Sequence, residues 1–298
     1  MKYAPIVLFV FNRPQHTLRL IESLSKNVEF CDSPLFVYCD GARNDDEVGK
    51  VEEVRQVINE ISHPNLIVVE REENWGLAKS VIAGITELCE RFGRVIVLED
   101  DLIVSPVFLN YMNTALNRYD ENEQIMQISG HMFPVNIKAE NDAVILPFTT
   151  SWGWATWDRA WKYFDAEMTA FDTLEANKSM RYEFDFKGAY PAFRMLKRQA
   201  EGKVDSWAIR WYLSVFSRGG TVAFPKKTLV LNDGFDGSGT NCHSTLQIET
   251  EGLGVLPITK FPGADVDYES FNEVISYLKK DQSVLRKLIK YVGGVWRK

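Results

Sequence analysis

Short apolar runs alternate with amphipathic stretches along about the first 130 residues of this chain. The runs are typical of buried strands, and the amphipathic stretches are typical of helices that cover a sheet. The predicted strands lie at residues 5–11, 35–39, 66–69, 95–98 and 127–129, and two clear helices at 45–61 and 76–92. Strands separated by helices form βαβ units with right-handed crossovers, so the sequence predicts an α/β fold built on a parallel sheet.

The pattern changes after about residue 132, where short strands, a few helices and a tryptophan cluster replace the regular alternation. Because no linker or repeat interrupts the chain, we predict one globule with an α/β half at residues 1–131 and an α+β extension at residues 132–278. Residues 279–298 form a basic, amphipathic tail. Two interpretations of the tail stand open: a peripheral contact with an anionic membrane, or a helix that docks on the protein body.

The charge balance excludes one class of partner. The chain has 34 basic and 41 acidic residues and a net charge of −7, whereas general nucleic-acid binding requires a basic surface. No apolar run is long enough for a membrane span, the N-terminal segment does not resemble a signal peptide, and the four cysteines lack zinc-ligand spacing. We therefore expect a cytoplasmic protein, at most peripheral at the inner face of the cell membrane.

Three consecutive acids, Glu99, Asp100 and Asp101, follow the fourth predicted strand. A favourable interaction with a helix N-terminus explains at most one of them, because burial at a strand end makes each further charge costly. Arg13 and Asp40 follow two other predicted strands, and ligands of parallel sheets bind at this edge. Carboxylates in such a place suit Mn²⁺ or Mg²⁺ together with substrate phosphates.

Two common phosphate-binding arrangements are absent from the sequence. The first predicted strand leads into FNRPQH, which lacks the glycine-rich turn of dinucleotide-binding folds, and no P-loop pattern occurs. Arg13 in this turn offers a cationic fork for a phosphate or a base edge. An exposed turn arginine without a ligand is an equally good interpretation of Arg13 taken alone.

Four segments together resemble GT-A glycosyltransferases: FNRP after the first strand, CDG after the second, ENWGLAKS at a helix start and LEDD after the fourth strand. The EDD triplet is similar to the metal-binding motif of the N-acetylglucosaminyltransferase I family. Bacterial polysaccharide glycosyltransferases share this layout, including the later stretches SWGWATW and GFDGSGT. The resemblance covers about residues 4 to 130 and implies a Rossmann-like GT-A sheet that binds a nucleotide sugar.

The resemblance also assigns roles to single residues. The donor-binding residues that it implies are Arg13, Asp40, Asn74, Lys79, Glu99 and Asp100. Among them, Arg13 and Asp40 would hold the nucleotide, and Asp100 would contact the ribose or the sugar. Asp101 would bind the divalent metal, Mn²⁺ or Mg²⁺, that bridges the diphosphate.

The stretch SWGWATWDRAW brings four tryptophans together, and tryptophan is most often a core residue. Gly153 between Trp152 and Trp154 permits close backbone approach, and GT-A enzymes often place a loop of this kind at the sugar pocket. We therefore expect Trp152 or Trp154 to line the site. Helical spacing from Trp157 to Trp161 favours core packing for those two.

An inverting transfer needs one carboxylate that deprotonates the acceptor hydroxyl. Asp205 in KVDSWAIRW is the first candidate and Asp158 the second, although each also stands where it would cap a following helix. The inverting family that this sequence resembles carries Asp-Asp-Trp at the start of an aromatic helix. This chain has Asp205-Ser206-Trp207 there.

The stretch LNDGFDGSGTNCHST, residues 231–245, is rich in glycine and small polar residues and is a candidate lid over a diphosphate. Ser238 and Gly239 offer backbone amides to a phosphate. His243 is either a further metal or phosphate ligand, as a C-terminal histidine is in some GT-A enzymes, or a structural histidine.

The resemblance thus implies a metal-dependent, inverting hexosyl- or N-acetylhexosaminyltransferase of bacterial surface polysaccharide synthesis. It would move a sugar from a nucleotide sugar, first of all a UDP-sugar, to a saccharide or lipid-linked saccharide. One alternative, a sugar-phosphate nucleotidyltransferase, would need a glycine-rich basic loop after the first strand. The other, a carbohydrate-binding protein without catalysis, would not need the acidic triplet at a strand end.

Overall fold

The computed structural model describes residues 3–234 and 252–280. Their strands are β1 Ile6–Val10, β2 Leu35–Cys39, β3 Leu66–Glu70, β4 Arg94–Glu99, β5 Leu102–Val104, β6 Ile125–Ser129, β7 Ala143–Leu146, β8 Trp154–Trp157, β9 Thr221–Pro225 and β10 Val230–Asn232. Their helices are α1 Pro14–Leu24, α2 Asp45–Asn59, α3 Leu77–Phe92, α4 Phe108–Arg118, α5 Asp158–Trp161, α6 Phe171–Ala176, α7 Lys178–Phe184, α8 Ala192–Ala200, α9 Trp207–Ser217 and α10 Tyr268–Lys280. None of these described helices is both long enough and apolar enough to cross a bilayer.

The helices of the first half begin and end where the local chemistry changes. Pro14 starts α1, because proline has no N–H to leave unpaired and its fixed φ suits the first helical turn. Asp45 and Asp46 start α2, where their charges interact favourably with the helix dipole. Gly93 follows the last residue of α3 with a left-handed φ of 77°, a conformation that glycine adopts at little cost.

Eight strands form one sheet in the order β3-β2-β1-β4-β8-β6-β9-β7. β3, β2, β1 and β4 pair in parallel, as the alternation of strands and helices predicts. Ile6 of β1 lies opposite Leu35 of β2 on one side and Ile96 of β4 on the other. The predicted α/β class with a mostly parallel, Rossmann-like sheet is confirmed.

The second half of the chain completes this same sheet. β8 comes from the tryptophan-rich stretch and runs antiparallel between β4 and β6, with Trp157 opposite Arg94. The helical spacing inferred from Trp157 to Trp161 is therefore wrong, because Trp157 belongs to a strand. Both rings are nevertheless buried.

Side chains that alternate along each strand build an apolar layer on each face of the sheet. In β1, Leu8 belongs to the layer that includes α1, α2 and α4, whereas Phe9 belongs to the layer that includes α3 and α9. A third cluster around Phe148 joins β7 and β9 to α8, α9 and α10. This packing holds the ends of the strands in fixed positions.

A short second sheet, in which β5 pairs antiparallel with β10, was not expected from the sequence. Leu102 lies opposite Asn232, and just beyond this pair the backbone N–H of Asp233 donates to the carbonyl oxygen of Asp101 at 2.8 Å. The start of the glycine-rich stretch is thereby held directly against the acidic triplet.

Gly153 joins the tryptophan-rich loop to β8 with a left-handed φ of 57°. A Cβ atom there would lie 2.8 Å from Cγ2 of Val230 and 3.2 Å from Cδ2 of Leu98. We expect Gly153→Ala to lower the free energy of unfolding by about 2–4 kcal/mol in urea denaturation, because backbone strain and overpacking add.

Gly93→Ala is the matched control for this substitution. Gly93 is also left-handed, but a Cβ atom there would meet no atom within 4 Å. The control should therefore lose only the strain contribution, and equal losses in the two variants would contradict the collision at Gly153.

Candidate functional site

The carboxyl ends of β1, β2 and β4 lie side by side at one edge of the sheet. Residues that follow these strands become neighbours although they are far apart in sequence. Arg13 follows β1, Asp40 follows β2, and the acidic triplet stands at the end of β4, where Glu99 lies opposite Phe9 of β1.

Arg13 contacts the last two acids of the triplet. Its Nη1 atom is 3.4 Å from Oδ1 of Asp100 and 3.2 Å from Oδ2 of Asp101. The three side chains are only 10% to 12% exposed. One guanidinium group thus faces two carboxylates away from bulk water, where both attraction and repulsion between charges are strong.

The excess of carboxylates shifts their protonation. Burial, reinforced by the charge of Asp101, raises the pKa of Asp100 to about 7, although Arg13 opposes the shift. Burial and the charges of Asp101 and Asp100 likewise raise the pKa of Glu99 well above its usual range. The ionised triplet is therefore electrostatically unfavourable, and a bound cation would relieve this repulsion.

Asp100 should make the ligand-free protein less stable as the pH rises. Its folded pKa lies above the unfolded value of about 4, so the folded state binds the proton more tightly, and this stabilisation is lost between about pH 4 and pH 7. Asp100→Asn removes the titrating group. The melting temperature of the variant minus that of the wild type, measured in EDTA, should therefore be larger at about pH 7.5 than at about pH 4.5.

Between the two pH values, we expect the difference in unfolding free energy between variant and wild type to change by at least about 1 kcal/mol. Such a change corresponds to about 2–4 °C in the difference in melting temperature. A difference between variant and wild type that is the same at both pH values would contradict the raised pKa of Asp100.

Asp101 has the features of a metal ligand. Its Oδ1 atom is buried and accepts no hydrogen bond, while Oδ2 faces Arg13. A buried oxygen without a partner is costly, and a divalent cation would satisfy it. Within residues 3–234 and 252–280, no three His, Cys, Asp or Glu side chains are arranged to hold a metal by themselves. Substrate phosphates commonly complete metal sites that have so few carboxylates.

The backbone after β10 passes over the same acids. The carbonyl oxygen of Gly234 accepts a hydrogen bond from Nη2 of Arg13 at 3.4 Å. A Cβ atom at this position would lie 2.6 Å from Oδ2 of Asp101, so the close approach requires glycine. Gly234 was not predicted as a site residue, since the phosphate contacts expected from the sequence are later residues of this stretch.

A second polar cluster at this edge joins β2 to the start of α3. Asp40 accepts hydrogen bonds from the backbone N–H groups of Trp75 at 2.8 Å and Gly76 at 2.9 Å. The side chain of Asn74 donates to the carbonyl oxygen of Gly41 at 2.7 Å. Asp40 and Asn74 thus hold the turn before α3 in place. Their contact with a nucleotide stays a prediction.

Trp75 lies against two cationic groups at the same edge. Cζ of Arg71 and Nζ of Lys79 are each 4.1 Å from the centre of its ring. Arg71 is buried, and this burial lowers its pKa. Lys79 was predicted from the sequence, but Arg71 was not. Arg71 follows β3, so its position after a strand end, the signal that located Arg13, would have found it.

A cavity opens on the α9 face of the sheet. Of the two tryptophans proposed to line a pocket, Trp152 lines this cavity, whereas Trp154 is fully buried and stacks on Trp207 with 5.2 Å between ring centroids. Trp207 and other aromatic side chains of α9 form the facing wall.

His131 on the cavity wall was also missed. It follows β6, which ends at the same edge as β4, so the position after a strand end was the available signal. Its ring contacts Trp152 with 4.5 Å between centroids, and Nδ1 is 3.4 Å from Oγ1 of Thr228. Burial lowers the pKa of His131 to about 3, so the imidazole is neutral at physiological pH.

The two candidate bases lie in different places. Asp158 follows β8, and its backbone N–H donates to the carbonyl oxygen of Gly93 at 2.9 Å. This contact places Asp158 at the start of β4, the opposite end from Asp101, because β8 runs antiparallel to β4. The position does not support Asp158 as the base.

Asp205 stands before α9 but does not cap this helix, although its position in the sequence suggested that role. Ser206, not Asp205, is the N-cap of the helix. The Asp205 side chain is 68% exposed and pairs with Nη2 of Arg210 at 2.6 Å. Its carboxylate is therefore held in place but accessible, two residues before Trp207 of the cavity wall.

Some proposed residues lie outside the described part of the chain. These are Ser238, Gly239 and His243, together with tail residues 281–298. Their roles in phosphate, metal or membrane binding stay predictions.

Residues 6–134 match the model of a known protein family, described as glycosyl transferase family 2. The matched segment runs from β1 to the residues after β6 and contains Arg13, Asp40 and the acidic triplet. The match confirms the resemblance to glycosyltransferases for the segment that carries the acidic edge.

Several solved structures are similar to parts of the chain. Mannosyltransferase PcManGT from Pyrobaculum calidifontis, in complex with GDP-Man and Mn2+, is 17% identical over 52% of this chain and 45% of its own, with a TM-score of 0.36. TarS 1-349 of S. aureus is 15% identical over 76% of this chain and 59% of its own, with a TM-score of 0.41. GalNAc-T7 with UDP, GalNAc and Mn2+ is 12% identical over 75% of this chain and 42% of its own, with a TM-score of 0.43.

The chain matches about half of the length of these proteins. No curated protein matches it.

Proposed function

We propose, from the premise that residues 6–134 form a family 2 glycosyltransferase domain, that the chain moves a sugar from a nucleotide sugar to an acceptor hydroxyl. The favoured donor is a UDP-sugar, and the acceptor is a saccharide or lipid-linked saccharide. The observation that carries the proposal is the buried pair Asp100 and Asp101, with one arginine for two acids and one oxygen without a hydrogen bond. Mn²⁺ or Mg²⁺, bound together with a nucleotide diphosphate, would supply the missing positive charge.

Each residue of the acidic edge has a role in this proposal. Asp101 would hold the divalent cation, which neutralises the charge of the leaving diphosphate when bound. Asp100 would accept hydrogen bonds from the ribose or the sugar. Arg13 keeps the two carboxylates together, and Asp40 holds the turn before α3 against which the nucleotide would lie.

Asp205 is the proposed general base, and the reaction would then invert the configuration of the sugar. An exposed carboxylate accepts a proton from a hydroxyl only when the two are within hydrogen-bond reach. The support is that Asp205 is accessible, is not needed as the helix cap and precedes a helix that lines the cavity.

We place this reaction in bacterial surface polysaccharide synthesis, in the cytoplasm, with the tail as a peripheral contact to the inner face of the membrane. The support for the pathway is the sequence resemblance. The support for the contact is the concentration of Lys and Arg in residues 279–298.

Nucleotide binding tests the proposal. Thermal unfolding would be measured with UDP, GDP and their sugars, each with Mn²⁺ and with EDTA. A ligand at about 100 times its Kd stabilises the folded state by about 2.7 kcal/mol, and this gain should require the metal. The absence of any gain from every nucleotide diphosphate with Mn²⁺ would refute the proposal.

Product analysis separates the alternatives. A glycosyltransferase releases the nucleotide diphosphate only when an acceptor is present. A sugar-phosphate nucleotidyltransferase would release pyrophosphate from a nucleoside triphosphate, and a carbohydrate-binding protein would bind a saccharide without releasing either product.

A further inference from the structure

We infer that the cavity beside α9 receives the hydrocarbon part of an amphiphilic acceptor, while the hydroxyl to be glycosylated faces the acidic edge. The inference rests on the proposed function and adds to it the chemical class of the acceptor. Four observations carry it: the uncharged wall, the engagement of its polar groups, the backbone at Phe186, and the position of the cavity in the sheet.

The wall of the cavity carries no Asp, Glu, Lys or Arg side chain among the described residues. Most of the wall consists of rings and aliphatic groups, among them Phe133, Phe148, Trp152, Phe186, Trp207 and Tyr212. A phosphate buried there would have no charged partner, and burial of an unpaired charge is very costly. The lining therefore excludes an anionic ligand and favours an uncharged one.

Three of the polar side chains on the wall, those of His131, Thr150 and Tyr212, already have partners within the protein. Oγ1 of Thr150 lies 2.5 Å from Oγ of Ser129, and the carbonyl oxygen of Thr150 accepts from Gln127 at 2.8 Å. His131 lies 3.4 Å from the hydroxyl of Thr228. Each sugar hydroxyl that found no partner in this cavity would cost free energy, whereas a hydrocarbon chain loses no hydrogen bond on entry and gains from burial against the rings.

The backbone at Phe186 indicates that this wall is built at a cost. Phe186, Lys187 and Gly188 are consecutive left-handed residues, with φ values of 53°, 52° and 74°. A bulky aromatic residue rarely adopts this conformation, and such strain concentrates at binding sites. Here it places the Phe186 ring against Phe148, with 4.7 Å between centroids, on the cavity wall.

The cavity lies beside the acidic edge. Trp152 on its wall precedes Gly153, whose Cβ position is 3.2 Å from Leu98, the residue before the triplet. Trp207 on the facing wall follows Asp205 by two residues. An amphiphile with its chain in the cavity would therefore place its polar head group between the proposed base and the acids of β4.

The test uses methyl, hexyl and octyl β-D-glucosides below their critical micelle concentrations, with binding followed by tryptophan fluorescence. Octyl glucoside should change the emission, and methyl glucoside at the same concentration should not. Affinity should rise by up to about fourfold for each methylene group that enters the cavity. Affinity that does not depend on chain length overturns the inference.

Two cavity variants and one control sharpen the test. Ala208→Phe fills the cavity from α9, and Met195→Glu places a charge on its wall from α8. Each should weaken octyl glucoside binding by at least about tenfold, since several methylene groups lose their contacts. Ala200→Phe, at an exposed position of α8, should bind like the wild type. Octyl glucoside binding that persists in both cavity variants overturns the inference.

Thermal unfolding with UDP and Mn²⁺ provides an independent measurement on the same proteins. UDP binding should persist in all three variants, which also shows that they are folded. If UDP fails to bind the wild type while the chain-length dependence holds, the proposed function is refuted and the assignment of the cavity stands.

Discussion

Replacement of Asp101 by asparagine is expected to reduce sugar transfer by on the order of 10³-fold and to abolish the Mn²⁺ dependence of UDP binding. The amide keeps the size of the side chain but removes the charge from a carboxylate of the acidic triplet that has an unpartnered buried oxygen. A metal that neutralises a leaving diphosphate contributes several kcal/mol, which corresponds to about three powers of ten in rate. UDP release and thermal unfolding with UDP and Mn²⁺ measure the two effects.

Asp233→Asn is the matched control for Asp101. The backbone N–H of Asp233 donates to the carbonyl oxygen of Asp101, but its own carboxylate pairs with Arg19 at 2.6 Å and is 37% exposed. Exposed ion pairs contribute little, so this variant should retain activity within about twofold. Full activity of Asp101→Asn would show that Asp101 is not a metal ligand. Equal losses of activity in both variants would instead attribute the loss to the overall charge of the region.

Asp205→Asn is expected to lower kcat by about 10²–10⁴-fold while UDP and Mn²⁺ still bind, because an amide cannot accept the proton of the acceptor hydroxyl. The fold should be unaffected, since Ser206 caps α9 and Asp205 is exposed. Single-turnover transfer and thermal unfolding with UDP separate the loss of chemistry from a loss of donor binding.

Asp158→Asn is the control for the proposed base. Asp158 contacts Gly93 at the opposite end of β4 from the acidic triplet, so its replacement should leave transfer unchanged. A large loss in Asp158→Asn together with a normal rate in Asp205→Asn would reverse the two assignments and contradict the location of the site.

The parallel half of the sheet was predictable because its signal is local. Each strand from β1 to β4 is a short apolar run followed by a helix or a turn, and parallel pairing then places the residues after the strands at one edge. This rule located Arg13, Asp40 and the acidic triplet. Applied to β3 and β6, it would also have found Arg71 and His131.

The tryptophan-rich stretch shows where local patterns fail. A run such as WATW fits a buried strand or a buried helix equally well, and only pairing with β4 and β6 decides between them. That pairing buries Trp154 completely and leaves Trp152 before the strand, on the cavity wall. The pairing of β5 with β10 likewise joins segments more than a hundred residues apart, and neither segment has a strong pattern of its own.

The sequence by itself determined that three acids stand at the end of a buried strand and that an arginine follows the neighbouring strand. Only the tertiary structure decided that Arg13 contacts Asp100 and Asp101, that burial raises the pKa of Asp100 to about 7, and that one oxygen of Asp101 has no partner. The physical reason is that strand periodicity is a property of neighbouring residues. Coulomb energies and desolvation depend instead on distances and burial, which exist only once the sheet and its covering segments have packed.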